Sequence, residues 1–353
     1  MKGGPPNLYR IHGLLVQSEI PLQAQRVKWA DDGGNTNPEW GNVSHPMPDY
    51  RVLEGELRDC PHSPPRGRIL AELRDDAFGY WAAETRRDPA RWTLRYTGIC
   101  DVTVDRGQKT ITVHRSPEAD PGLIPVFLGG SVLAHALTAE GLLVLHSSAV
   151  EVGGRALAIV GPSGAGKSTL AALLCAAGAR LVADDALRVD ATDTGAVCFP
   201  GVCGLRLRPA AASLGDRIEG AVVGETADGR TAVLPAQPAG APLTLRAVLV
   251  PEPSRDVGRL QVRRLGAMEG LQELLRHPRL TMWRASEAIA QLFELTAEIA
   301  EALPIYRARV PWGPPFPAGI AEELLGSVGL GSASGGGGSY PGTAAVHARR
   351  GTT

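Results

Sequence analysis

"RALAIVGPSGAGKSTLAALLCAAGARLVADD", residues 155–185, decides the fold. RALAIV is a short apolar run suited to a buried strand of a parallel sheet. GPSGAGKS, residues 161–168, fits G-x-x-x-x-G-K-[ST] in full. The Ala- and Leu-rich run after it reads as a helix stopped by Gly178. RLVA reads as a second buried strand and ends in Asp184 and Asp185. A strand–loop–helix–strand unit of this kind predicts an α/β fold whose sheet has parallel members.

The loop's residue types follow from what a phosphate needs. Its oxygens are held by a row of backbone N–H groups, so the chain must curl tightly around them. Gly161, Gly164 and Gly166 permit such angles and leave room for the ligand. The helix that follows presents free N–H groups and its positive dipole end. Lys167 can reach the β- and γ-phosphates, and the Ser168 hydroxyl can ligate Mg²⁺. The whole run of Gly161, Pro162, Ser163, Gly164, Ala165, Gly166, Lys167, Ser168 and Thr169 is the candidate nucleotide site. ATP and Mg²⁺ are the cofactors it predicts.

Asp184 and Asp185 stand seventeen and eighteen residues past Lys167. Ligands of open α/β sheets sit beyond the carboxyl ends of the strands. Adjacent strands would then bring both acids near the γ-phosphate. Consecutive acids at a strand end point to opposite sides. One could meet the metal while the other meets an incoming hydroxyl. The alternative is that one of them caps the following turn. His146, fifteen residues before Gly161, would by itself read as structural.

Working outward, the 353 residues are 44% hydrophobic, enough for one large or two modest domains. Thirty-six basic against 37 acidic residues leave a formal charge of −1, too little for the basic field of a nucleic-acid binder. Aromatics at 5% also argue against base-stacking platforms for a nucleic-acid strand. The five cysteines are odd in number and form no C-x-x-C, so a reducing cytoplasm is expected and no metal or disulfide framework. Cys198 and Cys203 are close enough in sequence to pair or to ligate a metal, which is the less expected outcome. No secretory signal region and no membrane span are read from the chain.

Residues 1–120 read as β-rich: YRIHGLLVQ and TITVHRS alternate apolar and polar residues. Long irregular connections are expected over residues 29–68, rich in Pro, Gly, Asn and Asp. A helix is expected over 124–138, weakened by two internal glycines. Residues 121–327 form the expected P-loop core. In it VCGLRLRP, LTLRAVLVPE and IYRARVPW read as strands, and EGLQELLRH and SEAIAQLFELTAEIAEAL as amphipathic helices. Residues 328–353 read as a flexible Gly/Ser-rich tail, native or an appended linker and peptide.

Residues 142–190 resemble the bacterial HPr kinase/phosphorylase family. That family carries a His, then a P-loop, then an aspartate pair after an apolar strand; here these are His146, GPSGAGKS and LVADD at matching intervals. Weaker similarity through PGVCGLRLRP, GRTAVLP and LTLRAVLVPE looks like small stand-alone relatives. Some of those sit in gene clusters that modify ribosomally made peptides, lasso peptides among them. YRIHGLLVQSEIPL suits the same subgroup, so the similarity covers roughly residues 9–325.

The resemblance implies phosphoryl transfer from ATP to a hydroxyl, usually a serine, of a peptide or small protein. Asp185 then matches the proton acceptor, Asp184 lies beside it, and His146 supports the pair. A charged His nearby keeps both acids ionised despite their repulsion. The family forms hexamers, so a homo-oligomer is open here. The family's second signature, E-I-R-G-L-G with a metal-binding Glu, has VCGLRLRP as its nearest stretch, without that Glu. A second metal ligand and reverse phosphorolysis are therefore not implied. Arg206 and Arg208 in that stretch, and more weakly Arg230, are candidates to neutralise phosphate charge. Arg206 and Arg208 could instead bind a peptide carboxylate.

Three functions follow. The first is a Ser/Thr kinase acting on a peptide, which predicts an open groove. The second is a kinase of a small hydroxylated metabolite, which predicts a closed pocket. The third is an ATP-binding regulator or ATPase. Against the third, no ABC-type signature and no hydrophobic run ending in Asp-Glu appears downstream.

Overall fold

The computed structural model describes residues 7–27, 47–73, 79–85, 88–281, 286–313 and 315–331. The chain is α/β, with two nine-stranded sheets and one of three strands among these residues.

The first sheet holds Asn7–Ile11, Leu14–Ser18, Gln25–Arg26, Tyr50–Glu54 and the five strands from Arg68–Leu73 to Thr110–Arg115. Its pairs are antiparallel except where Tyr50–Glu54 runs parallel to Leu14–Ser18 and Thr110–Arg115. Tyr50–Glu54 falls within the stretch read as irregular. The reason is visible in its pattern: Tyr50 and Val52 are buried and Arg51 is exposed, a period of two too short to stand out among prolines. The rest of that expectation splits: residues 55–67 carry no strand, and residues 28–46 lie outside the described residues.

The expected single helix is three pieces. Leu123–Phe127 is α-helical, Leu128–Val132 widens to a π-helix, and Leu133–Ala139 is α-helical again. Gly129 and Gly130 both fall in the wide turn, a helical irregularity that is rare and recurs at functional sites. One face of this segment buries Ile124, Leu128, Val132, Leu133 and Ala136 against the first sheet. The other turns Ala134 and Leu137 toward Val144, Ala186 and Leu280.

The second sheet runs in the order Leu143–Leu145, Leu187–Thr192, Gly195–Phe199, Leu243–Ser254, Arg155–Val160, Ser147–Val152, Arg180–Ala183. Ile305–Pro311 joins the upper half of the long strand Leu243–Ser254, in parallel. Arg155–Val160 is parallel to that long strand on its other side. Along Arg155–Val160 the core alternates: Leu157 and Ile159 pack with helix Lys167–Ala176, and Ala156, Ala158 and Val160 with helices Ala267–Leu275 and Ser286–Ala302. The sheet is thus covered on both faces, as parallel strands require. Val328 and Leu330, assigned by composition to the tail, are buried in the first of these clusters. The tail from residue 332 lies outside the described residues.

All five cysteines are free, so Cys198 and Cys203 do not pair. No helix among the described residues is long and apolar enough to cross a membrane.

Candidate active site

The strand Arg155–Val160 delivers Gly161 at the sheet's carboxyl rim, and helix Lys167–Ala176 starts from Gly166. Gly164 and Gly166 take φ of +86° and +82°, angles open to glycine. At Gly166 there is a second reason: a Cβ would stand 2.3 Å from Cη2 of the Trp312 indole. The Lys167 ammonium is buried and donates to the carbonyls of Gly161 at 2.9 Å and Pro162 at 3.0 Å. Ala165 N–H closes the loop on Pro162 O at 3.1 Å.

The acid strand Arg180–Ala183 is not the adjacent neighbour of Arg155–Val160 that the sequence predicts. Ser147–Val152 lies between them, antiparallel to both. The two outer strands therefore remain parallel to each other, and their carboxyl ends share one rim. The antiparallel middle strand begins at that same rim. This brings His146 and Ser148, one strand period apart, to the acids.

Asp184 and Asp185 part as the alternation rule says. The buried Asp184 carboxylate accepts from Ser168 Oγ at 2.8 Å, Ser148 Oγ at 2.5 Å and Arg206 N–H at 3.2 Å. Asp185 turns away, with φ of +73°, a left-handed backbone that Asp tolerates better than most residues. Its Oδ2 lies 2.9 Å from Arg279 Nη2 and 3.8 Å from Arg206 Nη2. His146 Nδ1–H donates to Asp185 O at 3.0 Å and stands 3.4 Å from Oδ1. The carboxylate side chain keeps 20% exposure. Burial pushes its pKa up, but Arg279, His146 and Arg206 outweigh that and hold it well below the usual carboxylate range. Burial lowers Lys167 to about 8, against the pull of Asp184 and Asp185.

The predicted residues converge. One cleft of ≈ 300 Å³ is lined by His146, the loop from Ser163 to Thr169 save Ala165, both acids, Arg206, Arg208 and Arg230. Gly161 and Pro162 serve it through the carbonyls that hold Lys167. Arg206 is tied at 3.3 Å to Asp228, which also pairs with Arg230 at 3.2 Å. Arg208 is exposed, its Nη2 3.7 Å from where a Cβ at Gly164 would lie.

Four contributors escaped sequence reading: Ser148, Gly130, Arg279 and Trp312. Ser148 had a signal, since it shares a strand face with His146. Trp312 had one too, directly after the last strand. Arg279 had none. It is 94 residues from Asp185 and arrives because Pro278 bridges Leu145 and Arg279 N–H donates to Val144 O at 2.8 Å. Gly130 is fitted to Asp185: a Cβ there would fall 2.6 Å from Oδ2.

The residues present fit a Mg²⁺–nucleotide. Lys167 folds onto its own loop, as a lysine whose partner is a phosphate can. Ser168 and Asp184 face one another across 2.8 Å, the hydroxyl and carboxylate that a Mg²⁺ ion takes as ligands in such sites. Among the described residues no group of three or more His, Cys, Asp or Glu forms an all-protein metal cage. Mg²⁺ in nucleotide sites does without one, using one or two carboxylates and the phosphates themselves.

No family model matches the chain, and no curated protein does. Among solved structures, the chain is similar to an HPr(Ser) kinase/phosphatase from Coxiella burnetii, at 14% identity and a TM-score of 0.23, over 35% of this chain and 76% of that one.

Proposed function

We propose that this chain is an ATP- and Mg²⁺-dependent phosphotransferase that moves the γ-phosphoryl group to a serine or threonine hydroxyl of a peptide or small protein. In its finest form the acceptor is a ribosomally made precursor peptide of the lasso type, and the compartment is the cytoplasm. One observation carries the reading. The phosphate loop and two divergent carboxylates share a cleft, with Asp184 on Ser168 and Asp185 free of the loop but ringed by Arg279, His146 and Arg206.

The division of labour follows. Lys167 and the loop N–H groups hold the β- and γ-phosphates. A Mg²⁺ held by Ser168 and Asp184 would neutralise charge on those phosphates. Asp185 accepts a hydrogen bond from the acceptor hydroxyl and orients its oxygen. As that oxygen bonds to phosphorus, the bond from phosphorus to the β–γ bridging oxygen breaks, its electron pair leaves with ADP, and the hydroxyl proton passes to Asp185. A carboxylate of low pKa suffices, because a loose transition state asks more for position and charge than for a strong base. Arg206 and Arg208 stand where developing negative charge needs a partner.

The test is transfer from γ-labelled ATP with Mg²⁺ to serine- and threonine-containing peptides, with the phosphate located by mass spectrometry. Asp185→Asn should reduce transfer about 10³-fold while ATP still binds. Transfer undiminished in that variant would sink the assignment of Asp185. Label in a small metabolite would favour the second reading, and free phosphate with no labelled acceptor the third.

A further inference from the structure

Trp312 follows the last strand, Ile305–Pro311, and is clamped in place. Its backbone N–H donates to Ser254 O at 2.9 Å, at the end of the neighbouring long strand. Phe316 packs edge-on to the indole, with ring centres 5.2 Å apart at 86°. The six-membered ring lies against Gly166 of the phosphate loop, and the indole, only partly buried, lines the cleft together with Gly313.

Strand order gives that position a meaning. From the strand Arg155–Val160, the acid strand is two places to one side and Ile305–Pro311 two places to the other. At about 4.8 Å per strand, each is about 10 Å away across the rim. A triphosphate seated in the loop has its γ end toward the acids. Its nucleoside end then extends the other way, toward Trp312.

Resting on the nucleotide reading above, we propose that Trp312 is the base platform of this site and accepts adenine and guanine nucleotides alike. An indole face stacks on any purine, because every base offers a π-face. Choosing guanine takes an acceptor for its N–H edge. Among the described residues lining the cleft the carboxylates are Asp184 and Asp185, both at the phosphate end. Trp312 reads the face of the base and leaves its edge unread.

The experiment titrates ATP, GTP and inorganic tripolyphosphate into the wild type, Trp312→Ala and Trp312→Phe by calorimetry. In the wild type, ATP and GTP should differ by less than about tenfold. Trp312→Ala should weaken both by roughly 10- to 100-fold, from the 1–3 kcal/mol a stacked base contributes. Tripolyphosphate, which has no base, should change by less than about twofold, and Trp312→Phe should recover most of the loss. Equal weakening of tripolyphosphate would mean that the indole only props Gly166, and the proposal falls. It also falls if ATP binding is unchanged in Trp312→Ala, or if ATP and GTP differ by more than about 100-fold. A wild type that binds none of the three overturns the nucleotide reading itself, and this proposal with it.

Discussion

The two large sheets have equal strand counts among the described residues and unequal chemistry. The first orders most of its strands as they come in sequence, by antiparallel pairing, so its strand ends alternate between two rims. The second is reached by crossovers, and its parallel members all end at one rim. There the phosphate loop, the acid pair and Trp312 collect. Parallel strands concentrate loops at one edge, and an antiparallel meander spreads them. Yet the first sheet is not a bystander. The turn at its first hairpin carries His12, whose Nε2–H donates to Gly129 O at 2.9 Å in the π-helical turn beside Asp185. His12 N–H in turn donates to Pro200 O at 2.6 Å, pinning that turn to the second sheet.

The largest effect outside the acids themselves is expected at Arg279, the second sheet's contribution to Asp185. Arg279→Met should lower phosphoryl transfer about 10²- to 10³-fold, as losing a charge-stabilising group does elsewhere. It should also move the acid limb of the pH–rate profile to higher pH. Asp185 is held low first by this guanidinium, so removing it raises the pKa and the carboxylate is lost sooner on acidification. Arg279→Lys should restore part of both. An unshifted acid limb in the Met variant would show that Arg279 is only structural.

This boundary between sheets is also where sequence reading runs out. The loop, its helix, the acid strand and His146 were legible because each is written in one short local pattern. Strand adjacency was not, since a strand inserted between two others leaves no mark in either. The π-helical turn was half legible: Gly129 and Gly130 announced a weak helix, but only packing shows that the weakness makes room for Asp185. Arg279 and His12 act across 94 and 117 residues, so no local period could have found them.

A smaller effect tests the first sheet's reach. In Gly130→Ala the added methyl falls 2.6 Å from Asp185 Oδ2, so the carboxylate must move or the π-helical turn must. Displacements of that order cost up to about 10²-fold in rate. The expected outcome is a roughly 10- to 100-fold loss of transfer from mispositioning, with ATP affinity unchanged because the phosphate loop is untouched. Steady-state kinetics beside calorimetry separates the two. A loss of ATP binding instead would mean that the turn supports the loop as well.

The smallest expected effect is on stability, and its sign is set by burial. His12 is fully buried and its pKa is lowered to about 4, burial outweighing its bond to Gly129. His135, in the helical segment that carries Gly129, is lowered to about 4 for the same reason. Each is neutral in the fold and takes a proton more readily once unfolded, where an ordinary histidine titrates near 6.5. The unfolded chain therefore binds more protons between about pH 6.5 and 4, and stability falls as pH falls through that window. Each histidine contributes on the order of a few kcal/mol above it. Thermal melts should show Tm steady between about pH 7 and 8, below the range where Lys167 titrates, and dropping toward pH 5. His12→Gln keeps an N–H where Nε2 donates but removes the titration, so its Tm should depend less on pH than the wild type's. An equal pH slope in that variant would place the acid sensitivity elsewhere, and the link between the first sheet and the acid pair would then be one of packing without charge.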